Sequence, residues 1–172
     1  MRSRILVYLN LIRWKTQIIN ITGFLVGHIF ATYLSIIDYK FLLALVCGIL
    51  TLSGIHALNQ YTDAEIDIIN RKARPIPLGL LTRNQVLAIV VTLYVLSLII
   101  GLFVNIEFLT VEILAILIGI LYSVKPIRLK DRFLLSYLSI ALGYEFLTFL
   151  AGWSVYRSII ELLTTGYIMD TL

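Results

Sequence analysis

Asn59, Asp63 and Asp67 stand four residues apart in the run Asn59-Gln-Tyr-Thr-Asp63-Ala-Glu-Ile-Asp67. On a helix such positions share a face, so three oxygen-bearing side chains form one line while Glu65 points elsewhere. Two carboxylates a turn apart repel each other unless a cation lies between them. Mg2+ takes one or two carboxylates together with phosphate oxygens and water, so a metal-bridged phosphate is the natural occupant of this line. Taken alone, the spacing equally fits a hydrated helix end with ordinary surface carboxylates.

The neighbouring residues favour the phosphate. Downstream comes Ile69-Asn70-Arg71-Lys72-Ala73-Arg74-Pro75-Ile76-Pro77-Leu78-Gly79, where two prolines and a glycine predict a stiff, non-helical loop carrying three cations. Pro75 holds Arg74 in an extended backbone, which makes Arg74 the preferred phosphate ligand, whereas anchoring to the membrane surface suffices for Arg71 and Lys72. A second stretch, Tyr122-Ser-Val-Lys125-Pro126-Ile-Arg128-Leu-Lys130-Asp131-Arg132, repeats the combination of proline, cations and a phenol. Two such loops can close on one anion.

The elements that must position these loops are set by composition. The 172 residues are 60% hydrophobic and 14% charged, far from the balance of a soluble domain. A helix needs about 20 apolar residues to cross the hydrocarbon core, and five stretches come near that length: 16–37, 41–58, 85–104, 108–123 and 133–153. A sixth starts near Ser158. The runs are too long, and too lacking in alternation, for barrel strands, so the expected fold is all-α: a polytopic transmembrane helical bundle forming a single membrane domain over 1–172. Residues 1–15 mix Ile5, Leu6, Leu9, Ile12 and Trp14 with cations and predict a short helix at headgroup level, not a removable signal peptide.

Charge placement supports the same layout. Of 14 Lys and Arg residues, only Lys40 and Arg157 fall outside the N-terminus and the 59–84 and 124–132 connections. The positive-inside rule then places the N-terminus and both motif loops in the cytoplasm. The formal charge of +4 is explained by orientation and points to no nucleic acid partner. Cys47 stands alone in an apolar run and reads as a packing residue. Four ionisable residues, His28, His56, Glu112 and Glu145, fall within or near spans and are candidates for lining a cavity. His56 could share the face of Asn59 but reads first as a satisfied interhelical contact. Glu145 could orient an acceptor but reads first as a paired interhelical carboxylate, and Glu112 sits near enough to an interface to reach water.

In this order, the Asn-x3-Asp-x3-Asp line, the Arg74-Pro-Ile-Pro loop and the Tyr122-Ser-x2-Pro-x-Arg128-Leu-Lys130 loop resemble the UbiA family of intramembrane prenyltransferases. Ala141-Leu-Gly-Tyr and Ala151-Gly-Trp153 resemble its chlorophyll synthase-like branch. The resemblance implies a helical bundle with a central cavity open to lipid. There an isoprenyl diphosphate would bind through Mg2+ and give its prenyl group to a lipophilic acceptor such as a quinone precursor, a tetrapyrrole or a glycerol-phosphate lipid. By position, Asn59, Asp63 and Asp67 match the metal-binding catalytic motif, and Arg74, Tyr122, Arg128, Lys130 and Arg13 match positions near the diphosphate. Family members have about nine spans and a second aspartate-rich motif, for which this sequence has no counterpart. It therefore reads as the N-terminal part of such an enzyme, inactive by itself and awaiting a C-terminal half.

Leaving-group stabilisation by metal and cations would assist ionisation of the allylic diphosphate, and aromatic walls would shield the cation. Two other classes use related residues. A CDP-alcohol phosphotransferase would need an Asp-Gly-x2-Ala-Arg segment that is absent. A cation-binding pore mouth, or another non-catalytic structural role, would be poorly served by the basic loop beside the aspartates.

Overall fold

The computed structural model describes residues 4–33 and 37–164, and every regular element among them is helical. A short α1 (Arg4–Leu11) leads into α2 (Trp14–Thr32). Next come α3 (Tyr39–Thr62), the single-turn α4 (Ala64–Ile69), α5 (Arg83–Leu102) and α6 (Ile106–Ser123). A 3-10 turn at Leu129–Asp131 precedes α7 (Phe133–Ser154), and α8 (Ile159–Thr164) closes the described chain.

α3, α5, α6 and α7 are long and apolar enough to cross a membrane. The fifth expected span, α2, has 19 residues, about 28 Å of helix, but buries Gln17, Asn20 and His28 inside the bundle. It ends at Thr32, where Tyr33 turns left-handed and returns its N–H to Ile29 O, short of the expected residue 37. α3 runs beyond the expected residue 58 and so carries Asn59. Only the opening turn of the expected sixth span, α8, falls within the described residues.

The ends of the spans are set by local chemistry. Asp38 caps α3 by accepting from the N–H of Phe41, and Thr82 and Gln85 form a reciprocal capping box on α5. Asn105 caps α6 through the Phe108 N–H at 2.8 Å and donates its amide to Ser154 O and Val155 O, fastening α6 to the end of α7.

α3 lies along α5, and α2 lies along the second half of α7. In the absence of a hydrophobic drive between helices in lipid, small residues allow this close packing. A Cβ on Gly27 would lie 1.9 Å from Phe149 O, and one on Gly152 would lie 2.0 Å from Phe24 O. The two backbones therefore touch at this crossing.

Around it, Phe24, Phe41, Phe108, Val111, Leu147 and Leu150 form one apolar core. A second core of Val7, Leu11, Ala57, Leu58, Leu81, Val86 and Val90 holds α1 and the loop before α5 against the end of α3. α1 buries only Val7 and Leu11, leaving Ile5, Leu6 and Tyr8 exposed, as expected of a helix lying at an interface.

α7 changes character midway. Over Ala141–Phe146 it widens to a π-helical turn, in which the Leu147 N–H reaches back five residues to Leu142 O. Such turns concentrate at functional sites.

Candidate diphosphate and metal site at the end of α3

Asn59, Asp63 and Asp67 do stay in line, although not on one unbroken helix. α3 gives way to α4 at Asp63, while the hydrogen-bond ladder continues from Asp63 N to Asn59 O at 3.0 Å and from Asp67 N to Asp63 O at 2.8 Å. Glu65 faces away, as expected, and pairs with Arg83 at the surface.

The two motif loops close on different members of this line. Arg128 Nη2 lies 2.8 Å from Asp63 Oδ1 and Lys130 Nζ lies 2.6 Å from the same oxygen. Lys130 also donates to Asn59 Oδ1 at 2.9 Å, and Arg128 is steadied by Asp131 at 2.8 Å. Burial pushes the Lys130 ammonium below the usual lysine range, and its contact with Asp63 works against that shift. On the other side, Arg74 grips Asp67 Oδ2 while Lys72 sits 3.1 Å from Oδ1.

Local backbone structure places these cations. Lys72 N returns to Asp67 O at 2.9 Å, and Leu80 N reaches Pro75 O at 2.9 Å, so the proline loop folds back beneath the acidic line. Arg13, Arg71 and Arg128 adopt left-handed backbone at φ 50°, 50° and 40°. For a side-chain-bearing residue this conformation is strained by about 1–2 kcal/mol. Such strain persists where surrounding contacts over-determine it, as at functional sites.

Inward of Asn59 lies an open cavity, lined in part by Arg13, His56, Asn59, Tyr122 and Glu145. Arg13 and Tyr122 thus border the site on its membrane side without joining the ion pairs. His56 is buried and shares a hydrogen bond of 2.9 Å with Thr16 Oγ1, tying α3 to α2.

The donor set suits a divalent metal. Asp67 is wholly buried, yet its Oδ1 has no hydrogen bond, because Lys72 approaches at ion-pair distance without hydrogen-bond alignment. Asn59 Oδ1 and the Asp63 carboxylate supply further oxygens along the same face. Among the described residues no three His, Cys, Asp or Glu side chains converge as a ready metal cage.

The model of the UbiA prenyltransferase family matches residues 20–169. The chain belongs to this family. Among its relatives, the digeranylgeranylglyceryl phosphate synthase of Korarchaeum cryptofilum is 36% identical over 105 residues, covering 60% of this chain and 37% of that protein. The protein of the same name from Sulfurisphaera tokodaii is 26% identical, covering 91% of this chain and 57% of its own length. The bacteriochlorophyll synthase 34 kDa chain of Chloroflexus aurantiacus is 29% identical over 108 residues, 63% of this chain and 33% of that one. The chain therefore spans between a third and three-fifths of these relatives.

Solved structures agree on the fold. A digeranylgeranylglyceryl phosphate synthase superposes with a TM-score of 0.84 at 26% identity, over 92% of this chain and 56% of that one. A UbiA homologue from Archaeoglobus fulgidus, solved with DMAPP and Mg2+, superposes at 0.80 and 21% identity over 94% and 59%. UbiA proteins are integral membrane proteins, which accounts for the four apolar helices.

Three sequence expectations need correction or extension. Glu112 does not reach an interface: it is 3% exposed within the bundle, hydrogen-bonded to Thr51, which in turn contacts Ser97 at 2.7 Å. Glu145 is exposed and its carboxylate has no partner among the described residues. Lys72, assigned to anchoring, faces Asp67 at 3.1 Å, placed there by the backbone turn that returns Lys72 N to Asp67 O.

Proposed function

We propose that this chain carries the diphosphate-binding side of a Mg2+-dependent prenyltransferase, which moves the prenyl group of an isoprenyl diphosphate onto a lipophilic acceptor within the membrane. The observation that carries the reading is the pairing of one carboxylate line with cations from two separate loops: Asp63 with Arg128 and Lys130, Asp67 with Arg74 and Lys72. Asp63, Asp67 and Asn59 would hold Mg2+, and the metal would neutralise the departing diphosphate. Arg74, Arg128 and Lys130 would swing from carboxylate to phosphate oxygens, a short exchange between two charge-assisted partners. Tyr122 and Arg13 stand at the cavity where the allylic end would enter.

A pore mouth is disfavoured because the four cations flanking these carboxylates would repel passing cations. In this reading residues 1–172 act as one membrane domain corresponding to the N-terminal part of the family's bundle, with both loops in the cytoplasm. The remainder of such a bundle would complete the enzyme.

The test is binding of geranyl diphosphate to the protein in lipid nanodiscs with and without Mg2+. Saturable binding only with Mg2+ is the expected result. A response to metal alone, indifferent to diphosphate, would defeat the proposal.

A further inference from the structure

A second cavity at the motif-loop end shares no lining residue with the one inward of Asn59. It opens between the end of α3, the start of α5 and the loop after α6, and is bordered by Arg83, Ser123, Lys125 and Arg128 together with the carboxylates of Glu65 and Asp131. Three cations and two carboxylates leave one positive charge over. Arg83 pairs with Glu65 at 3.0 Å and is held above the ring of Tyr61, 5.1 Å from its centroid.

The other three groups are incompletely engaged. Arg128 turns Nη2 to Asp63 and Nε to Asp131, each at 2.8 Å, but the second contact is an ion pair without hydrogen-bond alignment, so the Nε–H has no acceptor. Lys125 has neither an ion pair nor a hydrogen bond among the described residues. Ser123, the last residue of α6, is wholly buried, and its Oγ has no partner, not even the carbonyl one turn back that a helical serine often takes. A buried hydroxyl, a guanidinium N–H and an ammonium, all bordering one cavity and all short of an acceptor, complement an anion with several oxygens.

We propose that this cavity is a phosphate site separate from the carboxylate line, formed by Ser123, Lys125 and Arg128 with Arg83 beside them. The oxygens of one phosphate group can accept from hydroxyl, guanidinium and ammonium at once. The Asp131 carboxylate, 61% exposed, stands against Arg128 Nε and would give way to it. Arg128 serves Asp63 through Nη2, so exchange at Nε leaves the carboxylate line undisturbed. A lipid headgroup is well placed to supply the phosphate: α5 starts and α6 ends at this level, and the same helices expose Leu87 and Val91, and Leu117 and Leu121, over which acyl chains can lie. Free phosphate carries the same chemistry, and the two sources are separated by competition.

The probe is tritiated dioctanoyl phosphatidic acid, measured by equilibrium binding to the protein in an uncharged detergent without Mg2+. Its competitors are dioctanoylglycerol, which has the same chains and no phosphate, and inorganic phosphate. Saturable binding is expected, with dioctanoylglycerol weaker by about tenfold or more. Displacement by inorganic phosphate at concentrations near that of the lipid makes free phosphate the source, and resistance to it makes the lipid the source; both outcomes support the site. Lys125→Met should weaken binding about tenfold and Ser123→Ala about fivefold, with Mg2+-dependent binding of geranyl diphosphate unchanged in both. Ser123→Ala removes an unpaired buried hydroxyl and should melt no lower than the wild type, so its loss of binding would not stem from misfolding. Asp131→Asn removes the competing carboxylate and should tighten binding. Absence of saturable binding, equal binding of dioctanoylglycerol, or binding that Lys125→Met and Ser123→Ala leave unchanged would overturn the proposal. So would Mg2+-dependent displacement of the lipid by geranyl diphosphate, which would move the phosphate to the carboxylate line.

Discussion

The motif-loop end of the bundle and its α2–α7 crossing are held by opposite means. At the crossing, Gly27 and Gly152 let two backbones touch, and no side chain could be added without moving a helix. At the end of α3, Asp63 and Asp67 are held by four cations on flexible stems, each of which can take another anion in exchange. Packing fixes the first region, while the second is a set of interchangeable contacts. A substitution at the crossing should therefore damage the fold, and one at the acidic line should damage binding.

The largest effect expected is at the crossing. Gly152→Leu should destabilise the protein by about 3 kcal/mol or more, or prevent its accumulation, read as thermal unfolding in nanodiscs. Asp67→Asn should lower Mg2+-dependent affinity for geranyl diphosphate by about 100-fold or more, since removing even an outer partner of a metal ligand costs 10–100-fold. Its melting temperature should move far less than that of Gly152→Leu, and the reverse order would break the comparison. Lys130→Met should weaken diphosphate binding by about 10–100-fold through loss of one charged hydrogen bond. Asn105→Ala, which removes a cap and two carbonyl contacts, should cost about 1–2 kcal/mol of stability with diphosphate binding intact.

The smallest effect lies outside the spans, where the Tyr156 hydroxyl donates to the half-buried Asp38 carboxylate. This contact and the Phe41 N–H hold the Asp38 carboxyl below its ordinary 3.8. A depressed carboxyl contributes stability above its unfolded value and loses it as pH falls through the folded one. The difference in melting temperature between wild type and Tyr156→Phe should accordingly be present at pH 7 and shrink below about pH 4.

The sequence made the spans legible because apolar length is almost the whole requirement for crossing lipid, and the acidic line legible because four-residue spacing survives a helix break. The break itself at Asp63 left no sign, since Thr62, Asp63 and Ala64 are unremarkable in a helix. The partition of the cations was also hidden: Lys72 and Arg74 are two residues apart, and only the fold-back of the proline loop sets both against Asp67. Nothing in the sequence singles out Asn20. The lack of a hydrogen-bond partner for its buried amide depends on which neighbours α3 and α7 bring near, and no pattern along α2 encodes that.

The π-helical turn of α7 amounts to one residue more than an α-helix needs between Ile140 and Leu147. Each residue turns a helix by about 100°, so the extra one sets the facing of Phe133–Ile140 independently of the half that is locked to α2. Deleting a single residue from 141–146 would leave α7 slightly shorter and still apolar. It would also swing its first half by more than a quarter turn relative to the glycine crossing, carrying Ile140 away from the cavity it now lines. The length of this helix is tolerant to change, but its count is not.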